Sequence, residues 1–126
     1  MNRVPLIRGA ASALLAIALP CAYAEPLLSG DPQRGKTLYQ SCMGCHSLDD
    51  NDVGPMHRGV VGRKAGTVAD YAYSPALKKS GLVWDADGLD RWLINPQTLV
   101  PGAKMYFSVS SPQDRADLIA YLATQK

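Results

Sequence analysis

The sequence predicts an all-α domain, three main helices with shorter ones between them, folded around something bulky. Helix-start signals recur along the chain, no alternating apolar–polar run of useful length appears, and two long stretches, residues 47–73 and 95–110, are irregular and dotted with Gly and Pro. Irregular segments of that length in a small domain usually need something to wrap around. Asp31-Pro32 places a capping carboxylate before a proline at the first helical position, which opens a helix running towards Cys42. Ser74-Pro75 repeats the signal for a short helix that Gly81 is placed to end. Asp85 or Asp87 caps a third segment, Gly88 to Ile94, and Asn95-Pro96 stops it. Ser111-Pro112, with Asp114 three residues after the serine, opens a last helix reaching Gln125. In that helix Leu118, Tyr121 and Leu122 fall at i, i+3 and i+4 and form one apolar stripe.

The chain has 126 residues, enough for one domain, with the ordinary globular balance of 47% hydrophobic and 19% charged side chains. Residues 1–24 have the layout of a cleaved secretory signal: Arg3 and Arg8, then an apolar run from Gly9 to Leu19, then Ala22-Tyr23-Ala24. The run falls short of the roughly 18 residues that span a bilayer, so an uncleaved anchor is the lesser reading. A single domain over residues 25–126, exported and without stable membrane insertion, is therefore expected. Export from a bacterium would place it in the periplasm. The formal charge is +2, and removing Arg3 and Arg8 leaves 11 basic against 11 acidic side chains. A neutral chain lacks the clustered positive excess of a nucleic-acid binder. Cys21 falls in the leader, which leaves Cys42 and Cys45.

Cys42-Met43-Gly44-Cys45-His46 is the strongest signal in the chain. The pattern C-x-x-C-H reads as covalent attachment of a c-type haem. Two cysteines three apart on one helical face present both sulfurs to one haem edge. His46 then projects towards the iron and donates a ring nitrogen. A thioredoxin-type pair would need a βαβ setting, and none is visible. A zinc site needs four ligands, and placing the adjacent Cys45 and His46 on one tetrahedral ion is awkward.

Further motifs follow in order: Gly30-Asp31-Pro32, Gly35-Lys36, the attachment pentapeptide, Gly54-Pro55, and Gly59-Val60-Val61-Gly62-Arg63-Lys64-Ala65-Gly66. Then come Tyr71-Ala72-Tyr73, Trp84, Asn95-Pro96, Pro101-Gly102-Ala103-Lys104-Met105-Tyr106-Phe107, and Asp117-Leu118-Ile119-Ala120-Tyr121-Leu122. Over nearly all of residues 30–124 the chain resembles a class I cytochrome c, of the mitochondrial type and its soluble bacterial relatives. The resemblance implies the cytochrome c fold around one haem c, held through Cys42 and Cys45. It also makes Met105 the second axial ligand opposite His46, has the Pro55 carbonyl accept from the other ring nitrogen of His46, and sets Arg63, Tyr73 and Trp84 at the haem propionates. It further implies that Gly35 lets the first helix cross the last closely near Tyr121, with Tyr39 packed into the junction.

Four departures stand out. Leu99 stands where relatives usually carry a tyrosine beneath the methionine loop, and Ala103 replaces a common threonine. His57 stands where a leucine often packs on the haem, a spare imidazole that could be an alternative ligand but is expected instead to be partly exposed or hydrogen-bonded. The lysine excess around the haem edge is missing, and Asp49, Asp50 and Asp52 form a small acidic run.

The function implied is one-electron transfer by a monomer that is not an enzyme. Its redox partners would be a membrane oxidase or reductase, or a periplasmic dehydrogenase, and no residue is assigned a catalytic role. The alternative is a haem-based peroxidase or gas-binding protein, should Met105 ligation be labile.

Overall fold

In the computed structural model, which describes residues 28–126, four of five α-helices begin with a proline directly after a capping side chain. The expected leader, residues 1–24 with Cys21, lies outside the described residues. Helix α1 runs Pro32–Leu38, where the Asp31 carboxylate accepts from the backbone N–H of Gln33 at 2.8 Å. It tightens into a 3-10 turn over Tyr39–Ser41 just before Cys42. Helix α2, Pro75–Lys79, is capped by Ser74, whose hydroxyl accepts from Leu77 N–H. Helix α3, Ala86–Ile94, starts two residues earlier than expected because Asp85, not Asp87, is the cap. Asp87 instead pairs with Arg91 one turn on.

Asn95-Pro96 does more than stop α3. Asn95 is extended, and its side chain accepts from Thr98 N–H at 3.0 Å, so the dipeptide opens helix α4, Pro96–Leu99. Terminator and initiator share one chemistry here, because Asn-Pro both breaks the preceding helix and caps the next. Helix α5, Pro112–Thr124, is capped by Ser111, which accepts from Asp114 N–H. Among the described residues the only β pairing is an isolated bridge between Lys64 and Val83. No helix among them is long and apolar enough to cross a membrane.

The frame is the crossing of α1 on α5. A Cβ at Gly35 would lie 1.9 Å from the Asp117 carbonyl oxygen and 2.8 Å from Tyr121 Cβ, so glycine is what lets the two backbones touch. Asp117, 1% exposed at its side chain, fastens the crossing. It accepts from Asp31 N–H at 2.7 Å, from Gln113 at 2.9 Å and from the Arg34 guanidinium. Those bonds hold its carboxyl below the usual carboxylate range, the Asp31 amide contributing most. Helix α3 is tied to α5 by the Arg115–Asp90 pair at 2.7 Å, while Arg115 also donates to the carbonyls of Val109 and Ser110. Tyr39 packs into the same junction, its ring centroid 5.3 Å from that of Tyr121. Each network is centred on one buried charged side chain, Asp117 or Arg115, whose donors or acceptors must find partners.

Candidate functional site

Directly after the 3-10 turn the chain makes one more tight turn. The amides of Cys45 and His46 both donate to the Cys42 carbonyl, at 3.1 and 3.0 Å. Cys42 and Cys45 are free thiols on this turn, and burial pushes the Cys42 thiol up from its ordinary value. Both line a crevice of about 390 Å³ together with His46 and Met105. Its walls are chiefly apolar, drawn from α3 (Leu89, Trp92, Leu93), α5 (Leu118, Leu122) and the loops between.

His46 is held on several sides. Its Nδ1 lies 2.8 Å from the Pro55 carbonyl oxygen, which leaves Nε2 as the free ring nitrogen. A Cβ at Gly54 would come within 2.2–2.6 Å of three atoms of the ring, so only glycine allows the loop to lie this close. Burial pushes the imidazole below its ordinary pKa against the contrary pull of the Pro55 bond. A ring kept neutral with one nitrogen fixed is in the state required of a metal ligand.

Met105 also lines the crevice, from the loop after α4. Among the described methionines, Met43 is more than half exposed and Met56 does not line the crevice. The indole N–H of Trp92, from α3, donates to the Met105 sulfur at 3.2 Å. The loop itself is stapled by Gln97, whose amide donates to the carbonyls of Ala103 and Met105 at 2.7 and 2.8 Å. Sequence reasoning missed both Trp92 and Gln97. Neither sits in a spacing motif, and the one available signal was that the loop needs donors from the helices that flank it.

Arg63, Tyr73 and Trp84 all line the crevice, with different commitments. Arg63 donates to the carbonyls of Met56 and Arg58 at 2.7 and 3.1 Å, and burial lowers its pKa. The Tyr73 hydroxyl accepts from Val68 N–H at 3.2 Å, which leaves its own proton to give. Trp84 is buried against Trp92 and faces the crevice; its indole N–H makes no hydrogen bond among the described residues but is not sealed from the crevice. The structure thus brings all eight sequence-selected residues to one place, since Pro55 lines the crevice too.

His57 is partly buried and hydrogen-bonded. Its ring stacks on His46, and its Nδ1 lies 3.0 Å from the Tyr39 hydroxyl. Burial, helped by the charges of His46 and Arg63, pushes its pKa down to about 3. Burial likewise pushes Tyr39 up to about 12. Ala103, at the threonine position, is fully buried, and Leu99 packs against the core.

The Cytochrome c family model matches residues 32–126. Cytochrome c2 of Rhodomicrobium vannielii is 46% identical over 106 residues, covering 81% of this chain and 85% of that protein. Cytochrome c of Euglena viridis is 46% identical over 101 residues, covering 77% of this chain and 99% of its own. Among solved structures, cytochrome cH from Methylobacterium extorquens superposes with a TM-score of 0.73 at 49% identity, covering 75% of this chain and 99% of its own.

Proposed function

The chain belongs to the cytochrome c family, and on that premise we propose that it is an exported one-electron carrier whose haem c is ligated by His46 and Met105. The observation that carries the ligand assignment is one crevice walled by Cys42, Cys45, His46 and Met105, with Nε2 of His46 left free. The residues present fit the group. Two free thiols stand at the helical spacing that meets one porphyrin edge, the walls are apolar, and Trp84 holds an unused N–H where a carboxylate could accept it.

When bound, the haem supplies a one-electron Fe(III)/Fe(II) couple. The chain's own residues do the rest. Cys42 and Cys45 tether the group covalently, so that a small exported protein does not lose it to dilution. Pro55 fixes the His46 tautomer and raises its basicity as a ligand. Met105 contributes a thioether, a ligand that raises the potential relative to thiolate or imidazole. With both ligands in place no coordination position is left for substrate, so the chain is a carrier and not an enzyme. The peroxidase or gas-binding alternative requires a labile Met105, and the bonds that Gln97 makes to the loop carbonyls argue against one.

The mouth of the crevice carries exposed Val53, Tyr106 and Phe107. Lys104 stands beside them, donating to the Ala72 carbonyl and lying over the Tyr71 ring. That rim suits redox partners met mainly through apolar contact, since charge steers encounter more than it sets affinity. Partners of the membrane oxidase or reductase type, or a periplasmic dehydrogenase, would dock there. Export is supported by the signal-like residues 1–24.

Absorption spectra of the exported protein, oxidised and reduced, together with a haem stain after denaturing electrophoresis, test the reading. Haem that stays on the denatured chain and a sulfur–iron band in the ferric spectrum are the expected results. Met105→Ala should abolish that band and let the ferrous protein bind carbon monoxide rapidly. An unchanged band in Met105→Ala would assign the sixth ligand elsewhere.

A further inference from the structure

We propose that His57 is a positioning residue for His46, its ring setting the plane of the axial imidazole, and that Tyr39 acts through His57 to hold it there. The proposal rests on the reading of His46 as an axial ligand.

The two rings lie 3.9 Å apart between centroids with 19° between their planes, a face-to-face stack. The hydrogen bond from Nδ1 to the Pro55 carbonyl fixes one ring atom and the close backbone of Gly54 limits the ring where it touches, which still leaves a face of His46 to be held against tilt. A flat partner against its face removes the tilt. His57 can serve because it is itself held. Its backbone N–H donates to the Ser47 carbonyl at 2.9 Å, next to the attachment turn. On its other side the Tyr39 hydroxyl meets Nδ1 at 3.0 Å. Tyr39 is 3% exposed and packs on Tyr121 of α5, so it has nowhere to retreat.

A rigid helix junction is therefore linked through Tyr39 and His57 to the ring expected to bind iron. The leucine that the resemblance places at position 57 would fill similar space, but it has no flat face and no ring nitrogen to bond the Tyr39 hydroxyl. The consequence is electronic. The angle of an axial imidazole plane to the porphyrin nitrogens decides which iron d orbital takes its π density, and hence how unpaired spin spreads over the ferric macrocycle. A locked plane would keep that distribution narrow, since an outer partner that fixes a ligand's orientation tunes the metal it binds.

The test uses the haem-loaded protein with His57→Leu, His57→Phe, Tyr39→Phe and the double variant Tyr39→Phe/His57→Leu. The readouts are the hyperfine-shifted haem methyl protons and the ferric electron paramagnetic resonance g-values. In His57→Leu the methyl spread should change and the g-value features broaden, while haem content and helical circular dichroism hold. His57→Phe, which restores a flat ring, should return the pattern towards that of the unaltered chain. Tyr39→Phe should shift the methyls in the same direction by less, and the double variant should go no further than His57→Leu alone. If the spread in His57→Leu matches the unaltered chain, the residue merely fills space and the proposal is overturned. Should His57→Leu fail to mature, Tyr39→Phe decides alone: a shifted spread supports the proposal and an unshifted one overturns it. Loss of the ligand reading itself would show separately, as the absence of a low-spin imidazole–thioether signal in the unaltered protein.

Discussion

Position 92 places an indole where its N–H can only donate, and the acceptor it meets is the Met105 sulfur. A hydrogen bond to a thioether draws density from the lone pairs that would bind iron. Ferric iron depends on that density more than ferrous iron does, so the donor favours the reduced state. Trp92→Phe keeps the aromatic packing on Trp84 and removes only the donor. The redox-state difference cannot exceed the roughly 1 kcal/mol that such a bond is worth, so the variant's midpoint potential should fall by up to about 40 mV. Redox titration of both proteins in one buffer checks this, and an unchanged or raised potential would refute it. The attachment motif was legible in the sequence because covalent chemistry imposes a spacing. The donor at Trp92 was not, because a tryptophan on an apolar helix face reads as core filler until the methionine loop is folded over it. His57 was legible as a departure, but its stack on His46 depends on how the loop after Gly54 returns to the attachment turn.

At the scale of elements, the α1–α5 crossing is where one methyl group matters most. Gly35→Ala would drive a Cβ to within 1.9 Å of the Asp117 carbonyl, a backbone atom that cannot swing aside. The helices must separate, at a cost of about 3 kcal/mol, the upper end for overpacking. Chemical denaturation should show a lower midpoint with an unchanged slope. The buried carboxylate at the same crossing gives a pH signature. Asp117 is held below the ordinary carboxylate range in the folded chain, led by the Asp31 amide. Its contribution is therefore fully present above the unfolded value, about 3.9, and is lost as pH falls through the folded one. Asp117→Asn should melt lower than the unaltered chain at neutral pH, with the gap closing below about pH 4. A gap that widens on acidification would reverse the assignment. The helices themselves could be read ahead of the fold because each start is a local event, a capping oxygen followed by proline. Helix α4 was the exception: Asn95-Pro96 ends one helix and begins another, and only the extended backbone at Asn95 separates those readings. The Asp117 and Arg115 networks were illegible for a different reason, since their partners are brought together by tertiary packing alone.

For the molecule as a whole, the core and the crevice are nearly the same thing. Nine of the thirteen buried hydrophobic residues among those described also line the crevice, Trp84, Leu89, Trp92 and Leu118 among them. The long stretches 47–73 and 95–110 both contribute walls to this space, and the only regular element in either is the short α4. Even at about 1 kcal/mol per residue, the contacts those nine would make with a bound group come to on the order of 9 kcal/mol. That is as large as the whole stability of a typical domain, roughly 5–15 kcal/mol. The chain should accordingly fold around its cofactor and not ahead of it. Cys42→Ser/Cys45→Ser, produced and purified without haem, should lose most of its helical circular dichroism and melt without a cooperative transition. Adding haem back should recover part of the signal, because a group that binds the folded chain draws the equilibrium towards it by mass action. A haem-free double variant that kept its helices and melted sharply would mean that the α1–α5 crossing, with its Asp117 clasp, is sufficient without the cofactor.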